Sequence, residues 1–377
     1  MKIFHCDHCQ NLVFFENVQC VNCGHALGFL PDLQDMGSLD PIGGGRWESP
    51  LPSARGRAYR LCANYDRENI CNWTVPEDDP NPLCASCRLT KVIPDLMVSG
   101  NKEAWYRMES AKRRLICGLL TLGLPLEGKS GRIGAIDGSG VHTSENGVEF
   151  EFMADPATPG ADPVLTGHNE GVITLNLAEA DDSERERRRT QLHEPYRTLL
   201  GHFRHEIGHY YWDRLVAEGD LDGYRRLFGD ERPDYGEALK RHYSEGAPGN
   251  WQSRFVSTYA SSHPWEDWAE TWAHYLHMAD SLETATACGL SLKPRRADEP
   301  AMRTVPTDQV GSFDKMVEAW FPLTYVLNNL NRGMGLPDGY PFVLSQPALE
   351  KLRFVHGVIQ AARTAPAMPA ASTAFSA

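Results

Sequence analysis

The chain has 377 residues, a formal net charge of −13 and an apolar fraction of 41 %, enough for one substantial packed domain beside a small one. Its acidic balance argues against general affinity for nucleic acid or anionic membranes. No apolar run approaches the roughly eighteen residues needed to cross a bilayer.

Eight of the ten cysteines fall in the first 87 residues. Cys6-x-x-Cys9 and Cys20-x-x-Cys23 are two knuckles ten residues apart, the second followed by Gly24. Each knuckle presents two thiolates, and two knuckles complete a tetrahedral Cys₄ zinc site. Cys62, Cys71, Cys84 and Cys87 form a second expected set, although its first half lacks a C-x-x-C turn. The opening Met1–Cys6 has no long apolar region, so no secretory signal is read. The expected compartment is a reducing cytoplasm, where this spacing favours metal over disulfides. His5, His8 and His25 flank the knuckles and are read as solvated neighbours. Cys117 and Cys288 stand alone and are expected to be buried.

Residues 1–95 hold eight Lys/Arg against twelve Asp/Glu, and thiolate-zinc centres add further negative charge. Phosphate recognition needs a basic surface, so structural stapling or protein recognition suits this segment better than nucleic acid. The Gly- and Pro-rich stretch Asp40–Pro52 reads as a linker between the two metal sites. Lys102–Leu122 reads as a helix stopped by Gly123 and Pro125. Val148–Met153 and Gly171–Leu177 read as strands, the second as an edge strand that pairs with an extended peptide. Asp181–Arg189 mixes both charge signs and reads as a solvated approach to the helix beyond it.

That helix, expected over Tyr196–Val216 with Pro195 at its first position, carries His205-Glu206-Ile207-Gly208-His209. Histidines four apart stack on one helical face and can reach one Zn²⁺ at ~2.0–2.1 Å. Glu206 projects beside them, placed to act as general base on a metal-activated water. A third ligand must come from elsewhere. Residues 218–250 read as short helices and loops shaping a cleft. Downstream, Pro264 opens a helix whose Trp265, Trp268, Ala269, Trp272, Ala273 and Leu276 form a core-facing stripe. Glu266, Asp267, Glu270, His263 and His274 are all candidate ligands there, and spacing alone does not choose among them. Phe313–Asn329 and Gln346–Ala361 are further helices, and the Ala/Thr/Pro/Ser-rich tail reads as disordered.

The combination of HExxH with Tyr259, seven residues before Glu266, and the run Glu266-x-x-Ala-Glu270 resembles the catalytic domains of the Mlc titration factor and anthrax lethal factor families. The likeness covers roughly residues 190–280. It implies Glu266 as third zinc ligand, a gluzincin-like arrangement, with Tyr259 near the developing oxyanion and Glu270 orienting a ligand histidine. Over its whole length the chain resembles a group of bacterial zinc-binding metallopeptidases with an N-terminal zinc ribbon, a resemblance that supplies no substrate.

The expected fold is therefore α+β. A zinc-ribbon domain (1–95) with two Cys₄ sites precedes a zincin-like, mainly helical metallopeptidase domain with a small sheet (96–361) and a tail (362–377). The expected function is zinc-dependent hydrolysis of peptide bonds in a peptide or protein substrate, with one catalytic and two structural zinc ions. A protein partner could dock on the ribbon; nucleic acid and membrane are not expected partners. The alternative is a zinc-stabilised binding or regulatory module with little or no proteolysis.

Overall fold

A computed structural model describes residues 2–129, 143–144, 146–156, 160, 162–191, 198–302 and 312–364. Pro195 and residues 365–377 of the tail lie outside the described residues.

The chain opens with a two-stranded antiparallel hairpin, β1 (Phe4–His5) and β2 (Leu12–Val13). An antiparallel five-stranded sheet comes next in chain order: β3 (Ala26–Leu30), β4 (Asp35–Gly43), β5 (Arg46–Glu48), β6 (Tyr59–Leu61) and β7 (Thr74–Pro76). Phe4, Phe15, Phe29 and Trp73 pack together beneath it, largely edge to face, Phe29 and Trp73 with ring centres 4.5 Å apart. The expected linker over Asp40–Pro52 is not one. Its first half finishes β4, Gly43, Gly44 and Gly45 turn the chain at φ of 87°, 63° and 74°, and β5 returns along β4. Three consecutive left-handed residues make a tight reversal that side chains would strain. A register shift between Pro41 and Gly43 absorbs the proline in the ladder.

The short helix α1 (Ala63–Asp66) lies between Cys62 and Cys71, and β8 (Thr90–Val92) leaves the last cysteine knuckle. Helix α2 (Asn101–Thr121) comes after it, within one residue of its expected limits. Then come the short strands β9 (Gly128–Lys129) and β10 (Thr143–Ser144), β11 (Glu149–Met153), β12 (Gly167–Asn169) and β13 (Val172–Asn176). The four-stranded sheet has the order β12-β13-β11-β8, with β11 parallel to both neighbours and β12 antiparallel to β13. This corrects the reading of residues 171–177 as an edge strand: β13 is internal, and the edges are β12 and β8. The run Val-Ile-Thr-Leu-Asn reads as a strand because Ile173 and Leu175 recur at period two on a buried face, a pattern that edge and internal strands share.

The remaining helices are α3 (Asp182–Gln191), α4 (Leu199–Tyr211), α5 (Leu221–Phe228), α6 (Tyr235–Glu245), α7 (Pro264–Ala287), α8 (Phe313–Gly333, with Pro322 inside) and α9 (Gln346–Thr364). The charged run expected as a solvated approach forms α3, laced by the i,i+3 pairs Arg187–Glu184 and Arg189–Glu186. Helix α7 is central and packs on α4, α8 and α9. Lys351 of α9 donates to the fully buried Asp267 at 2.6 Å, tying α9 to the first turn of α7. Cys117 is buried as expected, but Cys288 is exposed because it caps the C-terminal end of α7, beyond that helix's packed length. No helix among the described residues is long and apolar enough to cross a membrane.

Candidate active site

Helix α4 starts at Leu199; the expected start at Tyr196 lies outside the described residues. The Thr198 hydroxyl accepts the Gly201 N–H at 3.0 Å and caps it. Phe203, Ile207, Tyr210 and Tyr211 bury its inner face, and a π-helical turn over Trp212–Val216 ends it. His205, Glu206 and His209 project from this helix towards the start of α7. There Pro264 occupies the first turn and the His263 ring accepts the Trp265 N–H at 3.2 Å. Glu266 sits in that first turn, where the helix dipole favours a carboxylate.

The two helices approach closely because Gly208 has no side chain. A Cβ there would lie 3.1 Å from the Ala269 Cα and 3.2 Å from the Trp272 Cβ. Trp268 Nε1 donates to the Gly208 carbonyl at 2.8 Å across the same junction.

The junction brings three donors together. His205 Nε2 lies 3.3 Å from His209 Nε2 and 2.9 Å from Glu266 Oε2, and His209 Nε2 lies 3.6 Å from Glu266 Oε1. An ion with tetrahedral bonds of ~2.0–2.1 Å sets its ligand atoms about 3.3 Å apart. Glu266 Oε2 is buried and aimed so that it accepts no hydrogen bond, despite its closeness to His205 Nε2. Lone pairs facing one another call for a cation between them. Electrostatics say the same. Burial alone would lower the His205 pKa, yet Glu266 and Glu270 hold it well above the usual imidazole value. Burial would raise Glu266, yet His209 and His205 hold it well below the usual carboxylate range. The donor set and spacing fit Zn²⁺.

Around this trio, His205 Nδ1 donates to Glu270 Oε1 at 2.8 Å, and the Ser257 hydroxyl donates to Glu270 Oε2 at 2.6 Å. Ser257 in turn accepts the Ala260 N–H at 3.0 Å, so Glu270 is held at both oxygens. Burial raises the Glu206 carboxyl above its ordinary value, against the pull of the His205 and His209 imidazoles. The Tyr259 ring lies 5.9 Å from His205, and its half-buried phenol is raised by desolvation and by Glu266. Asp267, His263 and His274 face elsewhere: Asp267 pairs with Lys351, His263 Nε2 lies 3.3 Å from the Pro233 carbonyl, and His274 meets the Tyr340 hydroxyl at 2.6 Å.

Sequence reasoning missed two groups. Tyr235, the first residue of α6, donates its hydroxyl to Glu266 Oε1 at 2.5 Å and interacts with the Tyr259 phenol. Ser257 lies in the loop before Tyr259. Neither has a fixed spacing from HExxH, so no local signal marks them. His168 on β12 is a further neighbour, its ring 6.3 Å from His209 and its Nε2 accepting the Gly171 N–H.

In the N-terminal region the thiols of Cys6, Cys9, Cys20 and Cys23 lie within 4.8 Å of one another, and so do those of Cys62, Cys71, Cys84 and Cys87. The Cys6–Cys23, Cys9–Cys20 and Cys71–Cys84 Sγ separations are 3.6, 3.6 and 3.8 Å. Tetrahedral zinc with ~2.3 Å bonds sets sulfurs about 3.8 Å apart, whereas a disulfide requires ~2.05 Å. Gln10 N–H returns to the Cys6 carbonyl at 2.7 Å and Gly24 N–H to the Cys20 carbonyl at 2.9 Å, closing the two knuckles alike. The second set is wholly buried. Beside it lies Arg113 of α2, 2 % exposed, whose charge is held against burial by Cys71 and Cys87.

Among known proteins, a family described as "Putative zinc-binding metallo-peptidase" matches residues 101–358. A zinc-ribbon domain matches residues 3–98. Uncharacterized proteins of Mycobacterium tuberculosis (strain H37Rv) and Mycobacterium bovis are each 43 % identical over 361 residues, 95 % of this chain and 95 % of theirs. No solved structure matches.

Proposed function

Since the chain belongs to this zinc-binding metallo-peptidase family and carries a zinc-ribbon region ahead of it, we propose that it hydrolyses peptide bonds at the His205–His209–Glu266 centre. The observation that carries the reading is the spacing of those three donors, near that of a tetrahedral ion, with the Glu206 carboxyl near enough to feel the His205 and His209 imidazoles.

When bound there, Zn²⁺ supplies a Lewis acid that polarises the scissile carbonyl and acidifies water. The chain's own residues do the rest. The Glu206 carboxylate takes a proton from the attacking water and passes it to the departing amine. The Tyr259 hydroxyl stands ready to donate to the carbonyl oxygen as charge grows on it, while Tyr235 keeps Glu266 Oε1 in place. Glu270, steadied by Ser257, keeps the His205 ring oriented with Nε2 towards the centre. The extended substrate pairs with β12, the sheet edge beside α4.

In this reading the fold of residues 96–361 is zincin-like, and residues 1–95 form a ribbon domain with two structural zinc ions. The protein works in a reducing cytoplasm, and the ribbon domain is available to a protein partner.

The test is Glu206→Gln, assayed on a quenched fluorescent peptide library with zinc content measured alongside. Loss of turnover by at least about 10²-fold with zinc retained is the expected result. Unchanged turnover would remove Glu206 from the mechanism. A wild-type protein that cleaves nothing while holding all its zinc would shift the reading to a binding or regulatory module.

A further inference from the structure

The ribbon contains a third group of metal-binding side chains that the catalytic reading does not use. His8, Cys23 and His25 each offer a ligand atom within 4.8 Å of the others. Cys23 also belongs to the first Cys₄ set, its sulfur 3.6 Å from that of Cys6. The two histidines, taken from sequence as solvated neighbours, are not independent of each other. Their rings stack with centres 3.7 Å apart.

His25 is polarised from one side. Its Nε2 lies 3.6 Å from Asp40 Oδ1, while its Nδ1 is buried and has no hydrogen-bond partner. A carboxylate facing one imidazole nitrogen favours the proton there and leaves the lone pair on the other. A buried lone pair without a donor is costly, and a cation satisfies it. His8 is exposed, and the broad torsion at its ring lets it turn from the stack to present a nitrogen edge-on.

We propose that His8, His25 and the Cys23 thiolate form a second, outer metal site of this ribbon, taking a borderline divalent ion of the Zn²⁺ class. Cys23 bridges the inner and outer ions, since a metal-bound thiolate keeps lone pairs for a second bond. Charge favours this arrangement. A Cys₄ zinc centre carries a net charge of about −2, which a second divalent ion with two neutral imidazoles cancels. Three protein ligands leave one coordination position open to solvent, so the outer ion exchanges faster than the caged one. Imidazole and thiolate together select Zn²⁺ and its neighbours over Mg²⁺ or Ca²⁺.

The inference is independent of the catalytic reading, because its test is a difference in metal content. The full chain is titrated with Zn²⁺, and separately with Co²⁺ as a spectroscopic probe, in the wild type, in His8→Ala and in His8→Ala/His25→Ala. The wild type is expected to bind about one equivalent more than the double variant, and that equivalent leaves first under mild chelation. With Co²⁺, the last equivalent adds a d–d band and sulfur charge transfer that the double variant lacks. His8→Ala, altering an exposed side chain, weakens the last equivalent at least about tenfold without touching the Cys₄ signal. Equal saturation of wild type and double variant overturns the proposal. So does a last equivalent whose spectrum carries no sulfur contribution.

Discussion

At the scale of single residues, the group that sequence reasoning could not find is Tyr235. Its hydroxyl holds Glu266 Oε1, leaving Oε2 to face His205. Tyr235→Phe keeps the ring against Trp265 and His263 and removes only the hydrogen bond. Zinc affinity at the His205–His209–Glu266 centre is expected to fall about 10-fold, as for other groups that orient a ligand from behind it. Competition with a chromogenic chelator reads this, and thermal stability of the chelated protein should be unchanged. An affinity equal to wild type would mean that Glu266 needs no such support. Glu270 differs in that its place was legible: one turn beyond Glu266, it shares a helix face with it. Ser257, which holds its second oxygen, was not legible, because the loop that carries it has no periodicity.

At the scale of elements, the centre depends on how closely α4 and α7 approach, and Gly208 sets that distance. Gly208→Ala puts a methyl group against backbone and the Trp272 Cβ, neither of which can swing aside. A destabilisation of about 1–3 kcal/mol is expected from such overpacking, despite alanine's better helix propensity. Denaturant unfolding measures it, and a stabilised variant would show that the helices have slack. The same change should push the two donor sets apart and weaken zinc at that centre. Strand β12 is the other element that matters. Gly167-His168-Asn169 carries no strand signal of its own, yet it caps the sheet edge beside α4, a place the more strand-like β13 was expected to hold.

For the whole molecule, one buried apolar cluster runs from Phe4 in the ribbon to Ile359 in α9, through Trp105 and Met108 of α2. Strand β8, just beyond the last cysteine of the second set, pairs with β11 of the later sheet. The ribbon is thus built into the body of the protein, and Arg113 of α2 places a positive charge beside the buried cysteine set. Stripping zinc should therefore be felt unevenly. Cys₄ regions lose the bonds that fix them, while α4, α7 and α9 keep their apolar packing. Hydrogen exchange with and without chelator should show protection lost over residues 4–30 and 59–89 and retained across α7. Unchanged exchange over residues 4–30 would mean that the aromatic cluster of Phe4, Phe15, Phe29 and Trp73 suffices alone.

What the sequence determined was the chemistry that lies within one helical turn or one knuckle. HExxH stacks two imidazoles on one face with a carboxylate beside them wherever a helix forms, and C-x-x-C pairs thiols whatever surrounds them, because both spacings are properties of local backbone geometry. The strands near 149–153 and 172–176 and the helix near 101–121 were legible for the same reason. Spacing left open which carboxylate faces the histidines, although the family resemblance implied Glu266; tertiary structure alone decided which strands lie at the edges and that Tyr235 and Ser257 reach Glu266 and Glu270. It also turned an apparent Gly-Pro linker into a paired hairpin. Those outcomes depend on contacts between segments far apart in the chain, as Tyr235 with Glu266 and β8 with β11 show, and no short-range pattern encodes the distance at which two helices will meet.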